Sequence, residues 1–176
     1  LESKVFEPTS AQGVAFRGIL AVGWRTGHRL AEFVAHPSGE TYFLTRANIS
    51  YVIAGVSVDD PTPAQLSSAR PGDVILVAPP RSKTDQFGEI HCPFPSSLPV
   101  TNDPNGASAI IMGIELDRPC HGAQRESTPL FADEQGQPFN HAAMDALLHP
   151  SGTWILCVET KSGMVAYWAT INTKCG

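Results

Sequence analysis

Eight segments of this chain are rich in Val, Ile, Phe, Tyr, Trp and Thr, and each is closed off by Gly, Pro, Asn or Asp. They are Val14 to Trp24, Leu30 to Ala35, Glu40 to Thr45, Ser50 to Val58, Asp73 to Ala78, Ala107 to Leu116, Thr153 to Glu159 and Met164 to Asn172. β-Branched and aromatic side chains suit a pleated, half-buried surface, so the pattern reads as eight strands. Val74-Ile75-Leu76-Val77 and Ile110-Ile111-Met112 are apolar on both parities, which implies cover on both faces, by the chain itself or by a neighbouring subunit.

Two hairpins follow from the turn residues, Phe33 to Phe43 about Pro37-Ser38-Gly39 and Trp154 to Trp168 about Lys161-Ser162-Gly163. Helical signal is slight. Thr62-Pro63-Ala64-Gln65-Leu66 offers a capping Thr with Pro at the first helical position, and Asn140 to Leu148 offers a capping Asn with apolar spacing at Ala143, Met144 and Leu147. Pro79 to Asn105 and Asp117 to Asn140 hold much of the Pro and Gly and read as long irregular loops, expected to bind, cover or assemble. The fold expected is therefore all-β, an antiparallel β-sandwich or jelly-roll-like barrel with one or two short helices in its loops. At 176 residues it is one domain, Val14 to Gly176, behind an N-terminal arm or linker, Leu1 to Gly13. The opening at Leu1 rather than Met reads as a processed product or an excised domain.

Lys and Arg number 12 and Asp and Glu 17, so charged residues make up 16% of the chain against about 25% in an average soluble domain, and the surface must be unusually neutral. The net charge of -5 and the lack of a Lys/Arg cluster argue against direct nucleic-acid binding. No apolar run reaches the roughly 18 residues of a membrane span.

The strong signatures of catalysis and cofactor binding are missing: there is no G-x-G-x-x-G, phosphate-binding Gly loop, H-E-x-x-H, G-x-S-x-G or C-x-x-C. His91-Cys92 and Cys120-His121 bring together the thiol and imidazole that a zinc ion or a cysteine nucleophile needs. Neighbours in an extended chain face opposite ways, however, so each pair offers at most one ligand. Cys157 sits in a buried-strand context, Cys175 one residue from the end, and His28, His36, His141 and His149 are scattered. Asp59-Asp60-Pro61 reads as a turn and helix cap, and Trp24, Trp154 and Trp168 as core residues within strands. No catalytic, cofactor-binding or metal-ligating residue is nominated, and no cofactor is expected.

Asp59-Asp60-Pro61-Thr62-Pro63-Ala64-Gln65-Leu66, then Pro71-Gly72-Asp73-Val74-Ile75-Leu76-Val77, then His91-Cys92-Pro93, resembles the middle of small plant-virus jelly-roll coat proteins, tymovirus coats in particular. There a short Pro-Ala-Gln helix, a strand and a Cys-Pro loop follow in similar order. The likeness covers the central third of the chain and implies a self-assembling capsid subunit or a projecting domain of one.

The function expected is thus a structural, self-assembling module, a viral capsid or capsid-surface protein located in the virion, and more a scaffold than an enzyme. Its partners would be copies of itself or other capsid subunits, with a host receptor or glycan outside the shell. One alternative is a receptor- or carbohydrate-binding spike domain, soluble and extracellular. Another is a thiol-dependent or polyprotein-type hydrolase using Cys92 or Cys120 with a histidine.

Overall fold

A computed structural model describes residues 9–35, 43–78, 95–140 and 142–144 in full, and the backbone of 153–160 and 163–170. The architecture is mixed α/β, which overturns the sandwich or jelly-roll expectation. Helix α1 spans Ala11–Thr26, strands β1 and β2 span Ile49–Ile53 and Val56–Val58, helix α2 spans Pro63–Ser68, and strands β3 and β4 span Val74–Val77 and Ser96–Pro99. Helices α3 (Ala107–Asp117) and α4 (Gln124–Ser127) follow, then strands β5 (Thr153–Thr160) and β6 (Gly163–Thr170). Strands β1 to β4 form one open antiparallel sheet in the order β2-β1-β3-β4.

Two of the eight expected strands are the two longest helices. Val14 to Trp24 lies inside α1, which starts earlier because the Ser10 hydroxyl caps it, accepting the Gly13 N–H at 3.0 Å. Its buried residues Ala15, Phe16, Ile19 and Val22 recur at the three- and four-residue spacing of a helix, where a half-buried strand would alternate. Ala107 to Leu116 is α3, whose buried residues Ala107, Ile111 and Glu115 stand four apart. In both, β-branched composition yields to period.

Leu30 to Ala35 opens instead as a 3₁₀ turn, Leu30–Glu32, closed by the Glu32 carboxylate accepting the Arg29 N–H at 2.9 Å. Residues 36–42 lie outside the described part. The limbs of the expected Phe33 to Phe43 hairpin do meet, Leu44 N–H donating to Glu32 C=O at 2.7 Å, but without forming strands. Leu44 and Thr45, the described end of the Glu40 to Thr45 candidate, form no regular strand, and Thr45 makes only an isolated bridge to Pro129.

The remaining sheet follows the sequence more closely. Ser50 to Val58 is two strands, not one. Ala54 and Gly55, at φ 50° and 80°, form the two-residue turn with positive φ at both positions that suits a tight hairpin. Asp73 to Ala78 contains β3, and α2 has the cap read from the sequence. Thr62 Oγ1 accepts the Gln65 N–H while Gln65 Oε1 accepts the Thr62 N–H, a reciprocal capping box. The Asn140 side chain likewise accepts the Ala143 N–H at 2.7 Å. The C-terminal hairpin is present, β5 and β6 pairing antiparallel from Thr153 with Thr170 to Thr160 with Gly163. The side chains of Trp154, Cys157 and Trp168 lie outside the described part, as do Cys92 and Cys175.

Register places Tyr51, Ile75 and Leu98 in one row and Ile49 and Val77 in the next, all buried on the same face. Helices α1 and α3 pack against each other and against β4. The other parity, including Val52, Val74 and Leu76, is only partly covered. The expected loop Asp117 to Asn140 proves to be part of the core. Leu130, Phe131 and Phe139 are buried, and Leu130 N–H donates to Leu44 C=O at 2.9 Å, while Phe131 packs on Phe33 with ring centroids 5.9 Å apart. Trp24, expected in the core, is 60% exposed at the end of α1. No helix among the described residues is long and apolar enough to cross a membrane.

Gly18 lets α1 approach the core closely: a Cβ there would overlap the Phe131 ring and come within 3.1 Å of Ile110 Cγ2. Gly18→Ala gains about 1 kcal/mol of helix propensity but overpacks the interface by roughly 1–3 kcal/mol. Urea denaturation is expected to show net destabilisation.

Candidate functional site

The described interior holds one cluster of buried charge. Glu115, on the inner side of α3, is 3% exposed and lies between Arg46, from a 3₁₀ turn at Arg46–Asn48, and Arg125 of α4. Arg46 Nη1 donates to Glu115 Oε2 at 2.6 Å, and Arg125 Nη2 donates to Oε1 at 3.1 Å. Arg125 also donates to the carbonyls of Cys120 at 3.0 Å and Arg46 at 2.8 Å. The Tyr51 hydroxyl from β1 reaches Oε1 at 3.5 Å, and burial together with that carboxylate pushes the phenol pKa far up, so it stays protonated. With two cations around one anion and three elements bolted to the sheet, this arrangement is structural. Sequence reasoning passed over all three charged residues. The available signal was Glu115 itself, a lone carboxylate amid Ile110, Ile111, Ile114 and Leu116.

Cys120 and His121 separate as neighbours should. Cys120 is buried, its Sγ donating to Thr128 Oγ1 at 3.3 Å, whereas the His121 ring turns outward to Asp60, with Nδ1 and Oδ1 2.7 Å apart. Asp60, expected to cap a helix, instead ties this loop down by also accepting the Gly122 N–H at 2.9 Å. That N–H, and then His121, hold its carboxyl below the ordinary value of 3.8. No thiol or hydroxyl among the described residues bonds to His121, so no nucleophile–base pair is assembled there. Nor do three or more His, Cys, Asp or Glu side chains gather as a metal site among the described residues. His91-Cys92 lies outside them.

A pocket of about 70 Å³ opens between the end of α1, β4 and the start of α3. Arg25 and Ala21 form one wall, Leu98 and Pro99 the floor, and Thr101 with residues 105–108 the other wall. Asn105 Oδ1 accepts from Arg17 Nη1 at 3.2 Å, so the amide nitrogen is the end left for other partners. Helix α3 begins at Gly106 with no side-chain cap, and Ser108 in its first turn is 2% exposed.

His28, just past the end of α1, is half-buried beside Phe33. Thr26 Oγ1 donates its proton to Val22 C=O at 2.7 Å, so in its 2.6 Å contact with that oxygen His28 Nδ1 is the donor. Nε2 is then the bare nitrogen, buried without a partner. Burial lowers the pKa from its ordinary value of 6.5, against a smaller opposing pull from Glu32.

Two outcomes follow. Glu115→Ala, which strands two buried guanidiniums, should lower stability by about 3–5 kcal/mol or prevent folding, read by denaturation followed by circular dichroism. Below about pH 6.5 the unfolded chain takes a proton on His28 that the folded chain refuses, so stability falls as pH drops from there toward the folded value. His28→Phe should flatten the slope of Tm between pH 7 and 5, and an unchanged slope would contradict the assignment.

Comparison with protein-family models, with curated proteins and with solved structures finds no match to this chain.

Proposed function

We propose that this chain is a non-catalytic interaction module that associates with copies of itself. The observation that carries the reading is the open edge of the sheet at β2, where Val56 is 62% exposed and among the described residues no strand pairs on the far side. An unpaired edge offers backbone donors and acceptors to a second strand, and a two-fold pairing of β2 with its own copy is self-complementary. The tight Ala54-Gly55 turn presents that edge in a fixed register. The low charge density favours contact between like surfaces, since few residues must be desolvated as ions.

The more specific form, a capsid or capsid-surface subunit, was drawn from a jelly roll, and the open antiparallel sheet with helices against it withdraws that support. A thiol hydrolase built on Cys120 is disfavoured because its thiol is buried and turned toward Thr128.

Light scattering across a concentration series is expected to give a mass that is a multiple of 18.8 kDa. Val56→Lys, which places a charge on the edge, should return the chain to a monomer. A wild-type monomer throughout the series would overturn the reading, and large closed particles in electron micrographs would restore the shell form.

A further inference from the structure

The parity of the sheet decides which backbone groups of β2 face its open edge. Ala78 N–H donates to Asn48 C=O at 2.8 Å, at the end of the β1–β3 ladder, so Asn48, Ser50 and Val52 turn their backbone groups toward β3. Tyr51 and Ile53 therefore turn theirs toward β2, and the residues opposite them, Val58 and Val56, bond inward. Ser57, opposite Val52, is left with both its N–H and its C=O on the open edge. The turn ties this edge to the rest of the sheet, because Ala54 N–H donates to Asp73 Oδ1 at 2.8 Å, just before β3.

The sequence of the edge is a second, independent observation. Val56-Ser57-Val58 reads the same in both directions. Antiparallel pairing centred on Ser57 sets Ser57 against Ser57 of a second copy, where the two exchange backbone hydrogen bonds, and sets Val56 against Val58 on either side. Every strand residue then meets a strand residue. Centred on Val56, the ladder would run into Gly55 and Ala54, whose positive φ takes the backbone out of the strand. Centred on Val58, it would need Asp59 and Asp60, which lie beyond the strand, and the Asp60 carboxylate is already held by His121 and the Gly122 N–H. Charge favours the same register. The chain carries -5 overall, so two copies meet most readily where neither is charged. Strand β2 has no charged residue, and Asp59 comes opposite uncharged Gly55 rather than its own copy. Val56, 62% exposed, shares a face with Ile53, so Val58 of the second copy would cover it.

We propose that two copies of this chain pair antiparallel along β2 with Ser57 on the two-fold axis, joining their sheets into one. This rests on the self-association proposed above and adds to it the register and the residue that selects a like copy over an unrelated strand. At Ser57 the two chains stand about 5.5 Å apart between Cα atoms, so any charge placed there meets the same charge. Val56 and Val58 form the closely spaced pairs on either side, about 4.5 Å between Cα atoms.

The test exchanges charge at position 57 of the whole chain. Ser57→Glu and Ser57→Lys, each alone, should raise the dissociation constant measured by light scattering about tenfold or more, whereas an equimolar mixture of the two should recover the dimer. Ser57 is exposed, so both variants should fold, as circular dichroism will verify. Isotope-filtered NMR on mixed labelled and unlabelled wild-type chain should place Val56 of one copy beside Val58 of the other. A wild-type chain that stays monomeric overturns the self-association and the register together. A wild-type dimer whose charged variants still associate, whose mixed variants fail to recover, or whose Val56 lies beside its own copy overturns the register and leaves self-association standing.

Discussion

Glu115 is the group on which the assembly of this fold turns. A carboxylate on the inner side of a largely apolar helix is intolerable in a low-dielectric interior unless cations are brought to it, and here two arrive from different parts of the chain. Arg46 comes from the turn that leads into β1, and Arg125 from the short helix after α3. Their positions fix where α3 lies over the sheet. Replacement of such a triad by apolar residues can leave a protein as stable as before, but Arg125 also satisfies the carbonyls of Cys120 and Arg46. An apolar substitute would leave the Cys120 carbonyl without that donor and the Arg46 carbonyl with the Ile49 N–H alone. The cluster is therefore a fastening as much as a charge balance.

Local chemistry was legible in the sequence where one or two residues decide an outcome. Thr62 followed by Pro63 announced α2, Asn140 announced a cap, and the runs at Asp73 to Ala78 and beyond Thr153 announced strands. Composition misled where it spoke for β and period spoke for helix. Phe16, Ile19 and Val22 look like strand residues one by one, yet their spacing is helical, and Ser10 supplies the start. Once α1 and α3 are helices, a closed sandwich has too few strands, and the expected jelly roll becomes a sheet with helices against it.

The candidate site was less legible, for a physical reason. Neither the pocket nor the charge cluster rests on a contiguous motif. Arg25 of α1 and Ser108 of α3 line one pocket, and Arg46 meets Glu115 from 69 residues away. The pairs that did stand side by side, such as Cys120-His121, were parted by the backbone that carries them. Adjacency in sequence placed chemistry on opposite sides of a loop, whereas distance in sequence brought it together.

Arg46 and Arg125 are separated by 79 residues, which gives the order of synthesis a role. At about 5–20 residues per second, Arg125 leaves the ribosome roughly 4–16 s after Arg46. During that interval β1 and the turn before it carry a cation whose only acceptable burial depends on residues not yet made. The first half of the chain cannot mature by itself into the structure it later adopts. Its hairpin can pair early, but the helices close over the sheet only after Glu115 and Arg125 have emerged. Nascent chains stalled between these points would have α1 to set against β4 but not the cover that α3 and α4 complete.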